Sequence, residues 1–356
     1  MPRSFAKWLA FAPAALLAAL LSLAGCGGTT PATTLSLPGD KGANSSPVEL
    51  LNVSCDPTRE LWKDIDEQFS KQYEAKTGRK VTIEQSHGGS SAQARAVNEG
   101  QPADVVSLAM WPDTDLIRRN GLIAEGWENR LPEKSLPYYS TIVFVVRKGN
   151  PKNVHDWPDL AKPGVEIITP HPKTSGNGKL SFLAAWGSVV TRGGSTADAE
   201  KFLSTIYDAE HTKVLDSAAR AATMTFSKKN IGDVHLTWEN EALLEVQQSK
   251  GELELVYPPV SFRAEPQVAW VDANVKKKST EEVAKAFLEF LYTPEAQATI
   301  AKNFYRPNAQ DSRDKYADQF HPVKLYGIAD VAQSWDDANE KFFKEGALFD
   351  QIMAKR

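Results

Sequence analysis

From residue 48 onward the chain alternates two patterns of apolar and polar positions. Short runs rich in β-branched residues, at 48–54, 81–87, 104–109, 141–147, 165–169, 233–238, 253–257 and 267–271, have the length and composition of strands. Between them lie stretches with helical spacing. In 57–76, Leu61, Ile65, Phe69 and Tyr73 recur every four residues and Gly78 supplies a stop. Strands alternating with helices predict an α/β protein with mostly parallel sheets flanked by helices.

The N-terminal end follows another pattern. Arg3 and Lys7 precede an apolar run over 8–23, which is short for a bilayer span and ends in Leu23-Ala24-Gly25-Cys26. Residues 1–25 read as a lipoprotein signal peptide and Cys26 as the lipidated N-terminus of the mature protein. Residues 26–46, mostly Gly, Thr, Ser and Pro, bury too little apolar surface to order themselves and read as a flexible tether. The remaining stretch, about 310 residues, exceeds the size of a single core and predicts two lobes. Pro-bordered segments near Tyr138 and Pro258 mark the crossings. They assign 47–141 and 264–310 to lobe I, 142–263 to lobe II, and 311–356 to helices packed on the outside.

Composition narrows the function. With Cys26 acylated, Cys55 has no partner for a disulfide and reads as a small buried residue. A formal net charge of −4 argues against nucleic acid and against a polybasic membrane surface, so any anion must be held locally. The six histidines show no metal-ligand spacing.

Several predicted strands run into a small-residue or capping turn and then a helix. These turns are Asp56-Pro57, with Asp56 read as an N-cap; His87-Gly88-Gly89-Ser90; 170–178, containing Ser175-Gly176-Asn177-Gly178; 215–221; and Trp238-Glu239. In open α/β sheets ligands bind beyond the carboxyl ends of strands, so these turns are expected to face one crevice. Helix N-termini offer free amide protons and the positive end of a dipole. Several together make an anion site without basic side chains.

Five segments carry a family resemblance. Asn52-Val53-Ser54-Cys55-Asp56-Pro57-Thr58-Arg59-Glu60-Leu61, Gln85-Ser86-His87-Gly88-Gly89-Ser90, the stretch 140–151, Trp238-Glu239-Asn240-Glu241-Ala242-Leu243-Leu244 and Lys302-Asn303-Phe304-Tyr305-Arg306-Pro307 resemble the periplasmic sulfate- and thiosulfate-binding proteins of ABC transporters. The resemblance runs from about residue 48 to the C-terminus. It implies a two-lobed type II solute-binding fold with the ligand in the interlobe cleft. It also implies a dehydrated sulfate, or thiosulfate, held by the amides of Asp56, Ser90, Gly176, Asn177 and Ala219, the Ser175 hydroxyl and the Trp238 indole. No cofactor, metal or catalytic residue is implied. The expected protein is an exported, lipid-anchored monomer, in the periplasm or on the outer face of the cytoplasmic membrane, which serves a permease. Asn177 stands where the family has a second glycine, and Ser217-Ala218-Ala219-Arg220-Ala221 replaces a glycine-richer turn.

Other readings stand beside this one. A different oxyanion is one, and Fe(III) is another, because Tyr138-Tyr139 resembles the tyrosine pair of iron-binding relatives; the pair also reads as structural. A sulfuryl- or phosphoryl-transfer enzyme would need a base on a nucleophile such as Ser175, and nothing in the sequence orients His171 for that role. His87 and His171 read as structural hydrogen-bonding groups. Asp56, Glu239 and Glu241 are expected to point their carboxylates away from the anion, with Arg59 or Arg220 neutralising Asp56.

Overall fold

A computed structural model describes residues 46–356. The expected signal peptide, Cys26 and all but the last residue of the expected tether lie outside the described residues. The chain runs through β1 (Val48–Cys55), α1 (Arg59–Thr77), β2 (Val81–Gly88), α2 (Ser90–Asn98), β3 (Val105–Ser107), α3 (Trp111–Arg119), the short turn α4 (Pro132–Ser135) and β4 (Tyr138–Arg147). Then come β5 (Ile167–Pro170), α5 (Gly176–Val190), α6 (Thr196–Ile206), β6 (Thr212–Asp216), α7 (Ala219–Ser227), β7 (Val234–Trp238), α8 (Glu239–Gln248), β8 (Leu253–Val256) and β9 (Val260–Ala264). The last part holds β10 (Val268–Trp270), α9 (Asp272–Lys278), α10 (Glu281–Phe290), α11 (Pro294–Lys302), β11 (Arg306–Pro307) and β12 (Lys324–Tyr326), followed by short helices.

The strands form two mixed sheets flanked by helices. The first has the order β10-β3-β1-β2, with β1, β2 and β3 parallel and β10 antiparallel. In the second, ordered β12-β9-β4-β7-β5-β6, the parallel pairs are β5 with β6 and β7, and β9 with β12. The long strand β4 runs antiparallel to β7, β8, β9 and β11. Its central residues, Ile142 to Val146, are buried on both faces, which explains the unbroken apolar run there.

Helices cover both sheets, among them α1, whose apolar stripe the sequence marks. Leu61, Ile65 and Phe69 of α1 are buried, and Trp62 and Phe69 meet Phe287 of α10 at ring distances of 5.6 and 5.0 Å. The C-terminal stretch adds β12 to the edge of β9 as well as helices. Its Phe342 and Phe343 pack on Phe182 of α5. Among the described residues no helix is long and apolar enough to cross a membrane.

Candidate functional site

The carboxyl ends of β1, β2, β5 and β6 all lead into turns that meet. β1 ends at Cys55 and the chain turns through a single 3-10 turn, Asp56–Thr58, into α1. The expected N-cap role of Asp56 is not observed. Thr58 takes the cap position of α1 without a side-chain bond, and the Asp56 carboxylate is instead taken up by the Arg59 guanidinium. Arg59 also donates to the His87 carbonyl at 3.3 Å, tying this turn to the end of β2.

The second turn is Gly88-Gly89, which caps α2. Ser90 opens the helix, and its hydroxyl is fully used: it donates to Asp113 at 2.5 Å and accepts the Ala109 N–H at 2.9 Å. The Ser91 hydroxyl gives Asp113 a second bond, at 2.9 Å. That leaves the Ser90 amide, at the first position of the helix, without an intrahelical acceptor. Gly89 lies so close to the neighbouring turn that a β-carbon there would sit 2.4 Å from the Thr174 carbonyl oxygen.

From the second sheet, β5 leads to Ser175, the N-cap of α5, whose Oγ accepts the Gly178 N–H at 3.4 Å. A β-carbon on Gly176 would lie 2.3 Å from that of Ala109 and 3.1 Å from that of Ser90, so this turn is pressed against the α2 turn. β6 leads through Ala218 to α7, whose first residue is Ala219. Among the described residues, the amides of Ser90, Gly176, Asn177 and Ala219 donate to no carbonyl outside the regular elements.

Between these turns lies a narrow cavity. It is lined by Cys55, Asp56, Pro57, Gly88, Gly89, Ser90, Ala109, Ser175, Gly176, Asn177 and Ala219. Six of the seven binding residues expected from the sequence are thus brought together. Trp238 does not line the cavity. It caps α8 at the end of β7, fully buried, and its indole N–H has no hydrogen-bond partner.

Ala109 and Asp113 are contributions the sequence reading missed. Ala109 shows only a small side chain after a strand. Asp113 lies in Trp111-Pro112-Asp113-Thr114, which reads as an ordinary helix start.

No lining side chain is basic, and the carboxylates of Asp56, Glu239 and Glu241 are held by arginines. Glu239 takes a bidentate pair from Arg306 at 2.6 and 2.7 Å, and Glu241 accepts from Arg220 at 2.9 Å. Burial pushes the Glu241 carboxyl up to about 8 against the opposing pull of Arg220. Burial, followed by the Arg59 charge, pushes His87 down to about 4, and its Nδ1 bonds the Ser54 hydroxyl at 2.6 Å. His171 Nδ1 accepts from the Lys173 N–H at 3.1 Å, a local structural bond. Tyr138 packs on Tyr305 at 4.7 Å and Tyr139 under the Arg263 guanidinium at 4.1 Å. Among the described residues no group of His, Cys, Asp and Glu could hold a metal. What the cavity presents is N–H donors at helix starts, with one hydroxyl at its wall, a donor set suited to a small anion.

Residues 56–306 match the family model described as bacterial extracellular solute-binding protein, and the chain belongs to that family. Within it, the chain is 48% identical over 307 residues to the sulfate-binding protein of Salmonella typhimurium, covering 86% of this chain and 93% of the relative. It is 43% identical over 313 residues to the thiosulfate-binding protein of Pseudomonas aeruginosa, covering 87% and 94%. Among solved structures, the sulfate-binding protein SubI from Mycobacterium tuberculosis H37Rv superposes with a TM-score of 0.76 at 32% identity. That match covers 83% of this chain and all of the other.

Proposed function

We propose that this protein captures sulfate, and thiosulfate as its close analogue, outside the cytoplasm and delivers it to the permease of an ABC transporter. On this reading it works as a monomer, catalyses nothing, and closes lobe I (47–141 and 264–310) on lobe II (142–263). The observation that carries the reading is the convergence of three helix starts and one strand end on a cavity without a basic side chain. The gap between these turns is narrow and walled by backbone and small side chains, which favours a compact ion. The amides of Asp56, Ser90, Gly176, Asn177 and Ala219 and the Ser175 hydroxyl are the proposed donors, with the Trp238 indole as a seventh. The relatives named for sulfate and thiosulfate support the same ligand class.

Selectivity follows from the donor count. Sulfate carries no proton near neutral pH, and every oxygen accepts. Phosphate keeps at least one proton, which would meet donors only, since Asp56, Glu239 and Glu241 are occupied by arginines. An unsatisfied buried polar group costs about 1–3 kcal/mol, and a site built for one bonding pattern rejects its mismatch by more. In calorimetric titration the expected result is strong preference for sulfate and thiosulfate over phosphate. Sulfate affinity should be flat from about pH 5.5 to 7, because His87, pushed down to about 4, is already neutral there. Phosphate binding within ten-fold of sulfate overturns the assignment. For the anchor we propose Cys26 diacylation; a Cys26→Ser protein that stays in the membrane fraction after signal cleavage would refute it.

A further inference from the structure

A second cavity lies beside the anion site and shares none of its lining residues. One wall comes from α2 and α3, which supply Arg95, Leu116 and Arg119; the opposite wall comes from Lys179 of α5 and from Trp335 and Phe343 of the C-terminal stretch. The walls ride on different sheets. Ala94 and Val97 of α2 and Ile117 of α3 are buried with Val53 and Val106 of the first sheet. The C-terminal wall is fastened to the second: β12 pairs with β9, the Tyr326 hydroxyl donates to the Ala184 carbonyl of α5, and the Phe343 ring lies 5.4 Å from that of Phe182. On the proposed closure of lobe I on lobe II, this cavity is complete only when the two meet.

Its lining joins positive charge to apolar surface. Arg95, Arg119, Lys173 and Lys179 stand there with Asp113 and Asp336, four cations to two acids, in a chain with a formal net charge of −4. The acids are already served: Asp113 accepts from the Ser90 and Ser91 hydroxyls, and Asp336 from Arg119 at 2.8 and 2.9 Å. Lys173 is taken up by Asp350. Arg95 is exposed and, among the described residues, meets no carboxylate. Lys179 has the Ser91 hydroxyl at 3.1 Å and a carboxylate, that of Asp113, no nearer than 4.0 Å. These two keep donors for an incoming anion. Beside them stand Leu116, 38% exposed and one of two exposed large apolar side chains among the described residues, and the half-buried Trp335. A bare inorganic ion would use the cations and leave this apolar surface wet, whereas an organic anion covers both.

We propose that this cavity is a second binding site for a small organic anion, its acidic head on Arg95 and Lys179 and its apolar body against Leu116 and Trp335, and that the occupant, touching both lobes, tightens the hold on sulfate. A ligand that binds only the closed arrangement shifts the equilibrium toward it, and the gain is reciprocal between the two sites. The coupling rests on the oxyanion reading above; the pocket itself does not.

The test is calorimetric titration of the full chain with sodium benzenesulfonate, sodium benzoate and neutral benzyl alcohol, first without sulfate and then with the anion site just filled by it. Both organic anions are expected to bind, and benzyl alcohol about ten-fold more weakly. Arg95→Gln, outside the sulfate site, should weaken the two anions about three- to ten-fold and leave sulfate affinity unchanged. Leu116→Ser should weaken all three probes. Sulfate should tighten both organic anions about five-fold or more, and each of them should tighten sulfate by the same factor. Unchanged probe affinity in Arg95→Gln, or benzyl alcohol binding as well as the anions, overturns the site; equal anion affinity with and without sulfate overturns the coupling. A wild-type protein that binds the organic anions through Arg95 but does not bind sulfate removes the oxyanion reading and leaves this pocket standing.

Discussion

Among the described residues, three buried tryptophans, Trp62, Trp127 and Trp238, have an indole N–H without a partner, so a lone unpaired donor does not by itself identify a ligand group. What separates Trp238 is its place, at the end of a parallel strand and the start of α8, where the other site residues also sit. A charge-assisted hydrogen bond contributes about 1.5–3 kcal/mol. Trp238→Phe should therefore weaken sulfate binding about ten- to hundred-fold at unchanged circular dichroism, while Trp62→Phe and Trp127→Phe leave affinity alone; equal effects at all three positions would return Trp238 to the core. Asp66 has no part in binding but shapes stability. Burial pushes its carboxyl up to about 7, one oxygen accepts from Gln85 at 2.6 Å, and the other has no partner. Because an unfolded Asp ionises near pH 4, the folded chain holds the extra proton between about pH 4 and 7; this group's contribution falls as pH rises through that window and then levels off. His87, pushed down to about 4, gives the opposite slope between about pH 4 and 6.5. Asp66→Asn should raise stability at pH 7.5 by on the order of 2 kcal/mol in urea denaturation and leave a profile that rises from pH 4 to 6.5. Neither residue's shift was legible in the sequence, since burial of one carboxylate on an otherwise polar helix face depends on what β2 places beside it.

Among the elements, the turns were more legible than the strands that lead into them. Gly89 and Gly176 announce a close approach, and each touches the turn of the other sheet. Gly89→Ala would drive a β-carbon into the Thr174 carbonyl at 2.4 Å. Overpacking costs about 1–3 kcal/mol, so affinity should fall about ten- to hundred-fold, with the melting temperature of the ligand-free protein unchanged; a loss of melting temperature equal to the loss of affinity would mean that the turn serves the fold instead. Eight strands were visible as β-branched runs, and β6, β9, β11 and β12 were not. β6 is an edge strand pairing only with β5, half exposed, and so lacks a continuous apolar run. β9 starts directly after Pro258-Pro259, which reads as a breaker. β11 and β12 span two and three residues and carry no periodicity to detect. The antiparallel setting of β4 was also invisible, because a strand buried on both faces reads alike in either direction.

At the scale of the molecule, the proposed anion site lies where strands of two sheets point their carboxyl ends at one another, and its walls come from chain segments far apart in sequence, 55–57, 88–90, 109, 175–177 and 219. The sequence reading reached all of these except Ala109, through several helix-start signals and a family resemblance together. No single segment carries the site. One wall residue has a further use. Cys55 borders the cavity, is 2% exposed and is the free cysteine among the described residues, and burial pushes its thiol well above the ordinary range. On the proposed closure of lobe I on lobe II, a thiol reagent reaches it only while the two stand apart. Labelling of the unaltered protein by a maleimide, followed by mass spectrometry, becomes a clock for the open state: saturating sulfate should slow it at least ten-fold and phosphate should not. Equal labelling with and without sulfate would mean that the ligand does not govern the opening of this wall.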